Sequence, residues 1–322
     1  MIGVLLINLG TPDAPDARSV RRYLAEFLSD RRVVEIPSIA WQPILRGIIL
    51  RTRPRKSAEA YRQVWTDEGS PLQYLTRKQA DELAERLGGP VLVRYAMRYG
   101  KPAIGATISA MMADGATRIL VAPLYPQYSA ATTGTAVDAV GAALARMRSQ
   151  PALRFLPPYY DDPAYIGALA GDVTRHLTEL DWKADAIVAS FHGLPERAVR
   201  LGDPYQRHCQ ETARLLSERL GRDLVVSFQS RFGRAKWLEP ATDATLARLA
   251  REGARRVAVL APGFAVDCLE TLEELAIRGK ALFEAAGGER FAYLPCLNAD
   301  EPGMAMLETL ARRELAGWLP AT

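Results

Sequence analysis

The sequence predicts an α/β fold of two similar domains, each a parallel β-sheet with helices on both faces. Short apolar, β-branched runs alternate with helix-period segments along the 322 residues, the pattern of βαβ units. That length exceeds one ordinary domain and suits two. The halves also carry the same punctuation in the same order. "LGTP" (9–12) is answered by "HGLP" (192–195), "VRYAMRYG" (93–100) by "VSFQSRFG" (226–233), and "DGATRILV" (114–121) by "EGARRVAV" (252–259). Three matches in order argue for a duplicated unit.

Strands are expected at 4–9, 91–97, 118–123, 186–190, 224–228 and 256–261, with weaker candidates at 153–157 and 290–295. The offsets between the repeated motifs are about 183, 133 and 138 residues, so the first half carries an insertion of about 50 residues. Residues 30–75, apolar, aromatic and basic, fit no strand–helix unit and supply it. The expected division is an N-terminal domain over 1–160 with this insertion at about 30–75, and a C-terminal domain over 161–301. A last helix at about 302–320 packs back on the first domain.

Composition narrows the function classes. Hydrophobic residues make up 48% and charged residues 24%, a folded domain protein with a sizeable core. A net charge of +4 from 41 basic and 37 acidic residues, without a recognisable motif, gives no footprint for nucleic acid. No apolar run reaches membrane-spanning length, and "MIGVLLINLG" reads as a first strand rather than a signal peptide, so a cytoplasmic location is expected. Cys209, Cys268 and Cys296 lie far apart and suggest neither a disulfide framework nor an iron–sulfur centre of four thiolates. No Gly-rich phosphate loop appears at the strand ends, which disfavours dinucleotide and ATP chemistry.

In open α/β sheets ligands bind beyond the carboxyl ends of strands, where all three repeated motifs fall. His192, one of only three histidines, ends the strand at 186–190, and the repeat sets it opposite Leu9 across the expected cleft. After the strand at 256–261 comes "APGFAVDCLETLEEL". A helix from Asp267 at 3.6 residues per turn puts Asp267, Glu270 and Glu274 on one stripe and Leu269, Leu272 and Ala276 on a core-facing one. An imidazole beside a carboxylate row suits a divalent metal, a proton relay, or both; a plain helix cap at Asp267 would look the same. "PLYPQYSAATTGT" (123–135) places Tyr125, Tyr128, Ser129, Thr132 and Thr133 at a strand mouth, as a hydroxyl rim or a cap. In the insertion, Trp41, Ile44, Leu45, Ile48 and Ile49 precede Arg51, Arg53, Arg55 and Lys56. These suit core packing, a lip over a large flat apolar ligand whose carboxylates meet arginines, or contact with an anionic membrane.

"NLGTPD", "MRYGKP", "YPQYSAATTG", "SFHGLP" and "PGFAVDCLETLEE" together resemble the ferrochelatases, the enzymes that insert ferrous iron into protoporphyrin IX. The resemblance runs from residue 2 to about 315 and is closest to the Gram-negative bacterial type. It implies two Rossmann-like, flavodoxin-like domains of the chelatase type, with the porphyrin in the cleft between them. It implies that His192 and Glu270 are iron ligands or pyrrole proton acceptors, with Asp267 and Glu274 the acidic path beside them. Leu9, Arg53, Tyr61, Ser70, Arg98, Tyr99, Tyr128 and Trp237 fall where porphyrin contacts are expected. Animal members carry methionine at Leu9, histidine at Cys268 and a C-terminal cysteine cluster. The resemblance therefore implies no tightly bound cofactor and no iron–sulfur cluster here, and leaves the role of Cys268 open. The substrates are ferrous iron and protoporphyrin IX, with the lip available for peripheral contact with the inner membrane. Coproporphyrin as substrate, a cobalt or nickel chelatase acting on another tetrapyrrole, and a non-catalytic tetrapyrrole-binding protein remain as alternatives. Oligomeric state is not readable from these residues.

Overall fold

The computed structural model describes residues 1–89, 91–233 and 235–319. Strands β1 (Ile2–Gly10), β2 (Val91–Tyr99), β3 (Arg118–Pro123) and β4 (Ala152–Phe155) form one parallel sheet in the order β2-β1-β3-β4. Strands β5 (Ala186–His192), β6 (Leu224–Gln229), β7 (Arg256–Leu260) and β8 (Arg290–Tyr293) form a second in the equivalent order β6-β5-β7-β8. Each sheet is covered by helices, and its central strands bury both faces, which is why they read as unbroken apolar runs. Leu5, Ile7, Ile108, Val121 and Val140 fill the first core, and Val188, Val257, Val259, Leu275 and Phe283 the second.

The chain divides into two compact units, Met1–Leu124 with Ser129–Pro157 and Leu307–Thr322, and Tyr125–Tyr128 with Pro158–Met306. In this division Tyr125–Tyr128 falls in the second unit, and residues from Leu307 onward fall in the first. The last helix runs Glu301–Glu314 and stops short of the expected 320, a residue outside those described. Its end is fixed chemically. The Arg154 guanidinium donates to the carbonyls of Glu314 (2.6 Å) and Ala316 (2.8 Å), satisfying groups a helix terminus leaves unpaired.

The insertion is wholly helical where it is regular: Ser38–Ile44, a π-turn at Leu45–Ile49, and Leu50–Val64. Pro43 and Pro54 flank the π-turn, each lacking the N–H that a regular helix would use. The apolar positions of this stretch split by face. Trp41 and Leu45 are buried, and the Trp41 indole N–H donates to the Leu28 carbonyl (2.6 Å). Ile39 (88% exposed) and Ile48 (58%) project outward with Ile36 and Ile44.

At the carboxyl end of the first sheet the strands come very close. A Cβ on Gly10, whose φ is +114°, would lie 1.8 Å from the Tyr99 carbonyl oxygen, so only glycine fits. Around it, the Asn8 side-chain amide donates to Thr76 (3.0 Å) and the Thr11 hydroxyl to Ser70 (2.8 Å).

Candidate functional site

His192 is the last residue of β5 and lies in register with Gln229 on β6. Its Nδ1 is 2.7 Å from the carbonyl oxygen of Gly193. A carbonyl can only accept, so Nδ1 carries the proton and donates, and the neutral ring keeps the lone pair on Nε2. That is the tautomer required for an imidazole that binds a cation or takes a proton. The other two histidines are engaged differently. His208 Nδ1 accepts the Tyr128 backbone N–H (3.2 Å), its ring stacks on Tyr160 at 3.7 Å, and burial, followed by the Arg207 charge, pushes its pKa down. His176 sits 3.5 Å from both Asp172 and Glu179.

The turn after His192 is tightly held. The Gly193 N–H donates to the Gln229 carbonyl at 2.7 Å. A Cβ at Gly193 would lie 2.6 Å from that oxygen and 3.1 Å from the Trp237 ring. Trp237 is buried and its indole N–H donates to Phe232 O (3.0 Å), so it acts first as the packing partner of this turn.

The acids stand on a π-helix, Glu270–Gly279, rather than on the expected α-helix from Asp267. Its i→i+5 bonding widens the turn, so the 3.6-residue stripes do not hold. Thr271, Glu273, Leu275 and Gly279 face inward in place of Leu269, Leu272 and Ala276. Glu270 and Glu274 remain together. Burial pushes the Glu274 pKa up; the Ser230 hydroxyl pulls it down, Glu270 raises it, and His192 and Arg278 lower it. Glu274 therefore lies within electrostatic reach of both Glu270 and His192.

Asp267 does not join this row. Its Oδ1 accepts from the Tyr293 hydroxyl (2.6 Å) and Thr271 (2.9 Å), and its Oδ2 from Asn298 (2.7 Å). With its lone pairs spent on neighbours and its side chain buried, it anchors the start of the π-helix. The three thiols are all buried, and burial pushes each pKa well above the ordinary value. Cys268 is thereby a protonated packing residue rather than a thiolate.

Several expected ring contacts have internal work as well. In the first unit, the Tyr99 hydroxyl donates to Asp30 at 2.9 Å and its side chain is 1% exposed. Arg98 pairs with the same carboxylate and donates to Thr135 O (2.9 Å). Ser70 is buried against Thr11, and Tyr61 packs edge-on to Trp65. Leu9 and Arg53 are half-buried, the former at the end of β1, the latter on the helix Leu50–Val64. Tyr128 is half-buried in the second unit, and Ser129 caps the π-turn Ala130–Gly134. Among the described residues no three His, Cys, Asp or Glu side chains stand grouped to hold a metal ion.

Three participants escape a reading by stripes: Gln229, Ser230 and Glu273. Gln229 is buried at the end of β6. Its side-chain N–H donates to the Glu270 carbonyl (2.8 Å), its Oε1 accepts from Ser190 (2.7 Å), and its own carbonyl holds Gly193. One residue thus ties the His192 turn, through its carbonyl, to the first residue of the π-helix, through its side chain. Its signal was its position, a polar residue closing an apolar strand within a repeated motif.

An imidazole with a free Nε2 on the end of a central parallel strand, tied to a glutamate-bearing π-helix, defines a protein of the α/β chelatase class. The fold is shared with SirB from Bacillus subtilis, solved with Fe3+ (TM-score 0.60, 13% identity, 98% of this chain and 96% of that one), and with CbiX (TM-score 0.52, 15% identity, 98% and 99%). A ferrochelatase family profile matches residues 1–315. The chain is 55% identical over 325 residues to the ferrochelatase of Rhizobium meliloti (99% of this chain, 96% of that one). It is 56% identical over 321 residues to that of Methylibium petroleiphilum (98% and 88%). The chain belongs to the ferrochelatase family, the iron chelatases that metallate protoporphyrin in haem biosynthesis.

Replacing Gln229 with leucine is expected to strand the Glu270 carbonyl and the Ser190 hydroxyl, freeing the start of the π-helix from the strand that holds the His192 turn. Urea denaturation should show a loss of about 1–3 kcal/mol. Turnover, measured where the variant is folded, should fall about tenfold or more, because misplaced groups lose near-attack geometry. A destabilised variant with parental turnover would show that the clamp does not position the pair.

Proposed function

We propose that the chain inserts ferrous iron into protoporphyrin IX with His192 Nε2 as the acceptor of a pyrrole proton and Glu270, with Glu274 behind it, presenting the metal and relaying protons. The carrying observation is the Nδ1–H donated to Gly193 O, which makes Nε2 the lone-pair nitrogen of the neutral ring. Metallation releases two N–H protons as the dication enters the ring, so a positioned base must take them up. A flat macrocycle hides its nitrogen lone pairs; bending it costs about 1–5 kcal/mol, which remote binding surface offsets. The iron is a substrate, and in the product the ring nitrogens carry it. Arg53, Tyr61, Ser70, Arg98, Tyr99, Tyr128, Leu9 and Trp237 belong to this reading as ring-side residues. For Tyr99, Ser70 and Trp237 that role is as supports, given their burial.

The test is anaerobic metallation of protoporphyrin followed by absorbance. His192→Ala should lose about two orders of magnitude or more in turnover, the usual weight of a general base. A near-parental rate would sink the assignment.

The outward isoleucines of the insertion, Ile36, Ile39, Ile44 and Ile48, with exposed Arg46, Arg51, Arg55 and Lys56, suit a peripheral seat on an anionic bilayer. No helix among the described residues is long and apolar enough to cross one. Phosphatidylglycerol vesicles should co-sediment the protein at low salt, and Ile39→Ser with Ile48→Ser should abolish this. Equal binding to phosphatidylcholine would refute it.

A further inference from the structure

Arg278 lies five residues beyond Glu273 and four beyond Glu274, and the π-helix brings it within reach of both. Its Nε donates to Glu273 Oε2 (2.9 Å), and its Nη2 stands 3.2 Å from Glu274 Oε1 as an ion pair. The other oxygen of Glu274, Oε2, accepts from the Ser230 hydroxyl, and Ser230 holds a left-handed φ of +65°. Both oxygens of Glu274 are therefore engaged, one by a neutral hydroxyl and one by a cation. The glutamates are largely covered, with side chains 11% and 24% exposed, whereas Arg278 is 59% exposed. Ser230, Glu274 and Arg278 line one cavity of about 870 Å³. The neighbouring cations on that wall are committed to other acids: Arg231 to Asp243 (2.8 Å) and Lys236 to Glu196 (3.0 Å).

We propose that Arg278 is a cation-competing latch on the glutamate row: anchored by Glu273, it occupies Glu274 Oε1 until a divalent metal displaces it. It is a positioning residue, acting through Glu274, and the proposal rests on the reading of Glu270 and Glu274 as the metal's approach to His192. A solvated guanidinium held by a half-exposed ion pair is weakly bound and exchangeable. A dication arriving beside Glu274 competes for the same oxygen with twice the charge. The latch keeps the covered carboxylates compensated when no metal is present and sets the concentration at which metal engages them.

The experiment measures metal separately from porphyrin. Arg278→Gln should lower the KM for ferrous iron about two- to fivefold, the weight of an exposed pair, with the porphyrin KM unchanged. Cobalt(II) titrated into the porphyrin-free protein should bind tighter by the same factor. Arg278→Lys, which keeps the charge but loses the two-pronged fork, should fall between. In a Glu274→Gln background the Arg278→Gln change should have no further effect. Thermal melts confirm that the exposed substitution leaves the fold intact. If Glu274→Gln weakens cobalt binding while Arg278→Gln alters neither measurement, the latch alone is overturned. If Glu274→Gln leaves cobalt binding at the parental level, the reading of the row falls, and the latch with it.

Discussion

The site depends on one short contact, the imidazole Nδ1–H of His192 donated to the carbonyl of Gly193. It selects the tautomer and orients the ring, the two properties that a base or a metal ligand needs fixed before substrate arrives. The carbonyl is itself held in place. Its residue's N–H is tied to Gln229, and the Trp237 ring and the Gln229 carbonyl together leave no room for a side chain at position 193. Gly193 thus serves both sheet closure and chemistry, and Gln229 extends the same constraint to Glu270 through a buried side chain.

The π-helix is the second determinant. A regular helix spends every carbonyl on the residue four further on, whereas the widened turn from Glu270 to Gly279 brings Glu273 and Arg278 together across five. That geometry gathers acids at one wall while Asp267, saturated by Tyr293, Thr271 and Asn298, pins the start of the element. Burial first, and Glu270 behind it, raise the proton affinity of Glu274, and a cation beside it offsets that cost. Before metal arrives, Arg278 is that cation.

The strands were legible because a parallel strand buried on both faces must be apolar throughout: "VLLINL" and "AIVAS" admit little else. The duplication was legible because glycines at strand ends, such as Gly10, are required where strand ends crowd. The acid row was legible only in part. Glu270 and Glu274 survive any helical period near four, but the inward face and the place of Asp267 depend on a hydrogen-bond register that residue spacing does not encode. Resemblance located Tyr99 and Ser70 along the chain, yet could not show that Asp30 and Thr11 already hold their hydroxyls. Gln229 was hidden for the same reason: its importance lies in three partners distant in sequence.

The central claim, that the fold presents His192 as a base with its lone pair on Nε2, is tested most directly by nitrogen NMR of protein labelled with 15N in its imidazole rings, the His192 signals being assigned by comparison with His192→Gln. In the neutral ring, without substrate, the proton of His192 should reside on Nδ1 and Nε2 should show the shift of an unprotonated nitrogen. A proton on Nε2 with Nδ1 bare would contradict it, because Gly193 O could then receive no hydrogen bond and the nitrogen offered to the porphyrin would be a donor.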